Sequence, residues 1–211
     1  AVLIHLALLL LRQGIEPNPG PGRRNKNFTS KQTSLNIMSW NCDSLADTER
    51  QKRVAKWAHS KNIDVICLQE TRITNRENLH VYTMENYTMY CSPCMGNKYG
   101  VAIAIHNKHL DRIIGARGHN DRHVEVYMSE PGYPTSGKSP KILRLHSIYG
   151  PQNEQRTLQD ERDRKRFWTN TDAILNIKTE GVKFLNIVGA DCNGRLATAH
   201  GSQEIGPYCL H

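Results

Sequence analysis

The chain has no apolar run long enough to cross a bilayer as a helix, which takes about 20 residues; the longest, residues 1–11 (AVLIHLALLLL), falls well short. No internal repeat is visible, which excludes solenoid and propeller arrays. Six cysteines follow no regular framework. Cys42, Cys67 and Cys192 fall within or beside apolar runs, where a buried free thiol is ordinary. Cys91 and Cys94 form a lone C-x-x-C with no second pair, a weak zinc signal. His106, His109, His119 and His123 have metal-like spacings but sit around strands and loops, which does not favour a zinc centre. With no initiating Met and no charged segment ahead of residues 1–11, the chain reads as starting within a longer protein, and the sequons at Asn27 and Asn86 matter only if it is secreted.

What is present suits one domain with a sizeable core. Formal charge is +8 over 211 residues. Residues 22–34 carry Arg23, Arg24, Lys26 and Lys31 and no acid, so they read either as a basic arm drawn to phosphate backbones without sequence preference or as a solvated linker. Residues 154–166 mix acids and bases and read as an exposed helix face.

Three apolar, β-like runs end in acidic or amide side chains: residues 35–43 (LNIMSWNCD), 65–70 (VICLQE) and 184–193 (FLNIVGADCN). A fourth, residues 142–151 (ILRLHSIYGP), carries Tyr149 near its end. Side chains so distant in sequence can meet where strands end, and ligands of open sheets sit at carboxyl ends. The chemistry of such a cleft suits phosphodiester hydrolysis. A hard cation on one or two carboxylates acts as a Lewis acid, Mg²⁺ needs few protein ligands, and amide donors steady a polyanionic transition state without adding negative charge. Singly, each station could equally be a turn or a surface pair; their joint order is what points to one site.

At these residues the chain resembles the endonuclease/exonuclease/phosphatase superfamily, and within it the apurinic-like endonuclease domain of non-LTR retrotransposons. SWNCDSL is similar to the first motif, ICLQETRI to the glutamate motif, SIYGP to the tyrosine motif and GADCN to the Asp-x-Asn motif. The resemblance implies an α/β fold of two packed β-sheets flanked by helices, a four-layer sandwich. It implies that Glu70, with Asp43, holds Mg²⁺ or Mn²⁺, and that Asn41 and Asn193 orient the phosphate and the attacking water. Asp191 would align or deprotonate that water, Tyr149 would reach the phosphate, and Arg72 would touch the nucleic-acid backbone. Two departures stand out. Glycine lies one place farther from the acid than usual (Gly189, Ala190, Asp191, Cys192, Asn193). Members of the family also continue to a second aspartate and a late Asp-His pair, whereas His200 and His211 follow Asn193 too closely to match it. The chain therefore reads as C-terminally truncated, with little turnover expected of it alone.

Residues 12–21 (RQGIEPNPGP) resemble ribosome-skipping 2A-type peptides, with Asn18, Pro19, Gly20 and Pro21 as the defining end and separation between Gly20 and Pro21. Gly14 stands in place of the usual Asp. A signal-peptide apolar region, about 7–15 residues long, and a turn-rich linker are the competing readings of this end.

The domain organisation expected is thus an apolar, 2A-like segment at 1–21, a basic linker at 22–34 and the superfamily domain from 35 to 211. Periodicity predicts helices at 47–61, turning Val54, Trp57 and Ala58 inward, and at 157–178, with Phe167, Ile174 and Ile177 toward the core. Trp57 and Trp168 read as packing residues. Strands are expected at 64–68, 82–91, 100–106, 123–128 and 141–149, and loops at 112–123 and 129–140. The function expected is an intracellular, metal-dependent endonuclease that nicks target DNA, at the nucleus, leaving a 3′-hydroxyl for a downstream reverse transcriptase. A small-molecule phosphoesterase of the same fold and a non-catalytic nucleic-acid-binding remnant are the alternatives.

Overall fold

The computed structural model describes residues 16–17, 34–94, 96, 98–130, 141–152 and 157–193. The apolar run 1–11, the skipping residues Asn18, Pro19, Gly20 and Pro21, and the basic residues Arg23, Arg24 and Lys26 lie outside the described residues, as do 131–140.

Among the described residues ten strands form two five-stranded sheets. One sheet runs β2 (Ile37–Asn41), β3 (Val65–Gln69), β6 (Val101–His106), β5 (Tyr87–Cys91), β4 (His80–Met84). The other runs β1 (Glu16–Pro17), β7 (Ile113–Asn120), β8 (His123–Ser129), β9 (Lys141–Tyr149), β10 (Lys183–Asp191). Helix α1 (Thr48–Ser60) connects β2 to β3, and helix α2 (Leu158–Leu175) precedes β10. Each sheet therefore contains one parallel pair, β2 with β3 and β9 with β10, amid antiparallel neighbours. The arrangement is two sheets with flanking helices, as expected.

Apolar alternation explains the sandwich. Val65, Cys67, Ile103 and Ile105 from one sheet and Val124, Val126, Met128 and Leu145 from the other share the central core. The opposite face of the first sheet presents Ile66, Leu68, Ala102 and Ala104 to Val54, Ala55 and Ala58 of α1. Asp47 caps α1, its carboxylate accepting from the Glu49 and Arg50 N–H groups, and Thr157 with Asp160 makes a capping box on α2. Such caps satisfy donors that the first helical turn leaves open.

Several expectations are corrected. Residues 82–91 are not one strand but a hairpin, β4 and β5, reversed at Glu85, whose φ is +52°. Residues 112–123 are not a loop: most of them form β7, whose glycines concealed it. Gly118 is required there, because a Cβ would lie 1.9 Å from the Asn78 carbonyl oxygen. Trp57 is not a core residue but 49% exposed. It lines a groove of about 740 Å³ between α1 and the edge strand β2, with Met38, Trp40, Val54, Arg50 and Arg53. The second helix ends at Leu175, three residues early, and Thr171 is its one fully buried residue.

The outer face of the second sheet buries a charged cluster. Arg144 donates to Glu125 at 2.8 Å and to the Ile174 carbonyl at 2.9 Å, tying the sheet to the C-terminal end of α2. Tyr127 also donates to Glu125. His123 and His146 lie 3.1 Å apart beside them. Burial pushes His123 down to about 3 and His146 down to about 4, so both are neutral in the folded protein. Between the ordinary histidine value of 6.5 and those depressed values, the unfolded chain takes up protons that the folded one refuses. Stability is therefore full above pH 6.5 and declines as pH falls, by up to roughly 1.4 kcal/mol per pH unit for each histidine. Urea unfolding should show a lower midpoint at pH 5 than at pH 7, and His123→Gln should flatten the difference.

Candidate functional site

The two parallel pairs point their carboxyl ends the same way. In the first sheet Asn41 is in register with Gln69, immediately before Glu70; in the second, Tyr149 is in register with Asp191. β10 packs on β2 and β3, and β9 on β3, so the four ends meet.

What sets this meeting is buried and polar. Gln69 is 1% exposed and lies directly before the glutamate. Its amide donates to Ser147 Oγ at 3.0 Å and to the Gly189 carbonyl at 3.3 Å, while Ser147 Oγ donates to the Leu68 carbonyl at 2.8 Å. Three strands are thus joined across the sandwich by hydrogen bonds that water does not contest. Gly189 allows the approach: a Cβ there would lie 2.4 Å from Cys67 Cβ. The glycine's displacement from its usual place before the acid therefore has a packing role of its own.

At the mouth, one amide joins the two sheets. Asn41 Nδ2 donates to Glu70 Oε1 at 2.9 Å and to Asp191 Oδ2 at 2.7 Å. The other oxygen of Asp191 accepts the Asn193 N–H at 2.9 Å, and Asn193 Nδ2 donates to the Gly150 carbonyl at 2.8 Å. Tyr149 hydrogen-bonds Glu70 and Asn193 through its hydroxyl. Arg72 Nη2 lies 2.6 Å from Asp43 Oδ1 and 3.0 Å from Glu70 Oε2. Burial acts to raise the Glu70 carboxyl, but hydrogen bonds from Asn41, Tyr149 and Arg72 outweigh it and hold it below its ordinary value. Burial, reinforced by the Glu70 carboxylate, raises the Tyr149 phenol, which stays protonated.

The loops around this cluster carry unfavourable backbone. Asp43, Ser44, Glu70, Arg72, Tyr99 and Asn193 all have positive φ, between +43° and +88°. Each non-glycine residue held so costs on the order of 1–3 kcal/mol and persists only where its surroundings over-determine it. Here they do: Ser44 N bonds Glu70 O, Leu45 N bonds Thr71 O, and Thr71 N and Arg72 N bond Gly100 O and Tyr99 O.

Asn41, Asp43, Glu70, Arg72, Tyr149, Asp191 and Asn193 thus stand in one connected group. A divalent cation suits the donor set, because Arg72 already puts one positive group between the Asp43 and Glu70 carboxylates. Two carboxylates are sufficient for Mg²⁺, which keeps most of its waters. Among the described residues no three His, Cys, Asp or Glu side chains converge as a metal cage. Cys91 and Cys94 are free thiols.

A model of the endonuclease/exonuclease/phosphatase family matches residues 38–185, more than half of the chain. The chain belongs to that family. Members of this family generally use divalent metals. Its nuclease/phosphatase fold is similar to that of AP endonuclease LMAP from Leishmania major, at 15% identity and a TM-score of 0.52, over 82% of this chain and 60% of that one. An AP endonuclease from Archaeoglobus fulgidus matches at 18% identity and 0.48, over 72% of this chain and 56% of that one. The 3′ phosphatase NExo from Neisseria matches at 14% and 0.48, over 78% and 60%. The chain spans less than two thirds of the length of each of those proteins. No curated protein sequence matches it.

The quoted motifs contain Gln69 and Gly150 without a role for either, and Tyr99 and Arg122 lie outside them. An amide inside the otherwise apolar VICLQ run was a usable signal for Gln69; the others declare themselves only through contacts between distant loops. Gly189→Ala should destabilise the fold by about 1–3 kcal/mol through overpacking against Cys67, which urea unfolding reads directly.

Proposed function

We propose that the chain is a divalent-metal-dependent endonuclease that hydrolyses a DNA phosphodiester and leaves a 3′-hydroxyl. The observation that carries this reading is Asn41 Nδ2 between the Glu70 and Asp191 carboxylates, with Tyr149 and Asn193 alongside. Glu70, helped by Asp43, would hold Mg²⁺ or Mn²⁺, whose charge lowers the barrier by polarising a phosphoryl oxygen. Asp191, fixed on both oxygens by Asn41 and Asn193, takes a proton from the attacking water. That water's oxygen bonds phosphorus as the P–O3′ bond breaks with its electron pair on O3′, which takes a proton from solvent, giving a 5′-phosphate and a 3′-hydroxyl. Once Glu70 turns to the cation, the Asn41 N–H and Tyr149 hydroxyl it releases, with the second Asn193 Nδ2 proton, would donate to phosphate oxygens where negative charge grows. Arg72, half exposed, contacts the nucleic-acid backbone once its carboxylate partners turn to a cation.

The four motifs and the N-P-G-P segment together favour a non-LTR retrotransposon as the source. In that setting the partners are DNA and a downstream reverse transcriptase, and the work is done in the nucleus. Asn18, Pro19, Gly20 and Pro21 would direct ribosome skipping between Gly20 and Pro21, freeing the segment that ends at Gly20. Among the described residues no helix is long and apolar enough to cross a membrane.

Supercoiled plasmid incubated with Mg²⁺ and the full natural chain tests the activity. Nicking should appear, vanish with EDTA and fall at least about 100-fold in Glu70→Ala, since a lost transition-state electrostatic group typically costs 10²–10³. Binding without nicking would contradict the enzymatic reading. For the basic arm, replacing Arg23, Arg24 and Lys26 together with Ala should weaken binding to every DNA sequence alike. It should also reduce the slope of log affinity against log salt by up to about 3, near one unit per phosphate contact; fluorescence anisotropy across a salt series measures it.

A further inference from the structure

Arg122 occupies the turn between β7 and β8, outside the group formed by Asn41, Glu70, Tyr149, Asp191 and Asn193. Its guanidinium carbon lies 3.7 Å from the centre of the Tyr99 ring and 5.1 Å from that of Tyr149. The two rings are 6.1 Å apart. Arg122 Nη1 donates to the Gly150 carbonyl at 3.1 Å and more weakly to that of Tyr149 at 3.4 Å. Its own carbonyl accepts the Tyr149 N–H at 2.9 Å, and its neighbour Asp121 accepts the Gly100 N–H at 2.9 Å. The turn thus grips both chain segments that carry the tyrosines.

The Gly150 carbonyl is the shared node. It receives Arg122 Nη1 from one side and Asn193 Nδ2, at 2.8 Å, from the other. The Gly150 N–H in turn donates to the Asp191 carbonyl at 2.7 Å. Glycine is needed at the node, since a Cβ would lie 2.8 Å from both the Cys192 carbonyl oxygen and the Trp168 ring. A flat, forked cation can lie on an aromatic face and still donate at its edge, which an ammonium cannot do in the same way.

We infer that Arg122, seated over the Tyr99 ring, is a positioning residue that holds the Tyr149 ring and, through the Gly150 carbonyl, the Asn193 amide in their working places. The inference rests on the nuclease reading for its consequence in catalysis, but not for its geometry. Arg122 acts through Tyr149 and Asn193 and touches no reacting atom. Tyr99 is part of the device, and its positive φ of +66° is the backbone cost of presenting its ring to the guanidinium.

Two measurements on the full chain test it. Aromatic carbon NMR reads the flip rate of the Tyr149 ring, assigned with Tyr149→Phe, and proton exchange reads the Asn193 side-chain amide, assigned with Asn193→Asp. Arg122→Ala and Arg122→Lys should each speed ring flipping and amide exchange at least tenfold, as should Tyr99→Leu, while Tyr99→Phe keeps the wild-type rates. Arg122→Lys also guards against a fold lost in Arg122→Ala. In plasmid nicking, Arg122→Lys should lower kcat about tenfold with KM within twofold. A raised KM at unchanged kcat would make Arg122 a DNA contact and overturn the inference, as would wild-type flip and exchange rates in Arg122→Lys. If the full natural chain does not nick, the nuclease reading fails while the NMR rates still decide the positioning role.

Discussion

Everything at the mouth of the sandwich depends on one side chain amide held between two carboxylates from different sheets. Glu70 and Asp191 would repel one another if brought together bare. Asn41 Nδ2 donates to both, 2.9 Å to one and 2.7 Å to the other, so the two carboxylates stand together, with Arg72 as the cation on the other oxygen of Glu70. That contact is possible because β2 and β10, far apart in sequence, lie against each other with Ser39 beside Gly189. Beneath it, Gln69, Ser147 and the Gly189 backbone form a dry polar layer that fixes how far one sheet slides on the other. A group of hydrogen-bonded polar side chains in an apolar interior tolerates few alternative registers, and this one lies one residue below the glutamate.

The principal stations were legible in sequence because each lies at the end of an apolar run, where the polarity changes within two or three residues. Helices between β2 and β3 and before β10 made parallel pairing, and therefore co-directed strand ends, the natural outcome. The rest was hidden for physical reasons. β7 (IIGARGHN) has two glycines and polar side chains, and it is a strand because β8 pairs with it across two register shifts and β1 lies on its other side. The hairpin at 80–91 turns on Glu85 and Asn86, without a glycine or proline to mark the reversal. Trp57 has the spacing of a core residue, yet it falls off the stripe of Gln51, Val54, Ala55 and Ala58 and onto the groove beside edge strand β2. Arg122 lies in a polar turn like any other, and nothing in its neighbours foretells two tyrosine rings.

The distribution of cost across the molecule follows its use. Left-handed residues gather at the loops around Glu70 and Asn193, where a side chain must point against the preference of its own backbone. The interior that bears this is conventional: Val, Ile, Ala and Met alternate across both sheets. The buried Glu125–Arg144 pair on the far face serves a different end, fastening α2 to β8 and β9 through the helix's last carbonyls. The α2–sheet fastening and the Gln69 layer together hold β9 and β10 from both faces, so the ends bearing Tyr149 and Asp191 are fixed relative to Asn41 and Glu70.

The most direct test of the central claim is anomalous diffraction from crystals of the chain soaked in Mn²⁺. One strong peak is expected, bonded to the Glu70 carboxylate at about 2.0–2.2 Å, close to the distance a small divalent ion keeps from oxygen, with Asn41 and Asp191 facing its waters and Arg72 turned away. A peak elsewhere, with Glu70 still bonded only to Asn41, Tyr149 and Arg72, would contradict it.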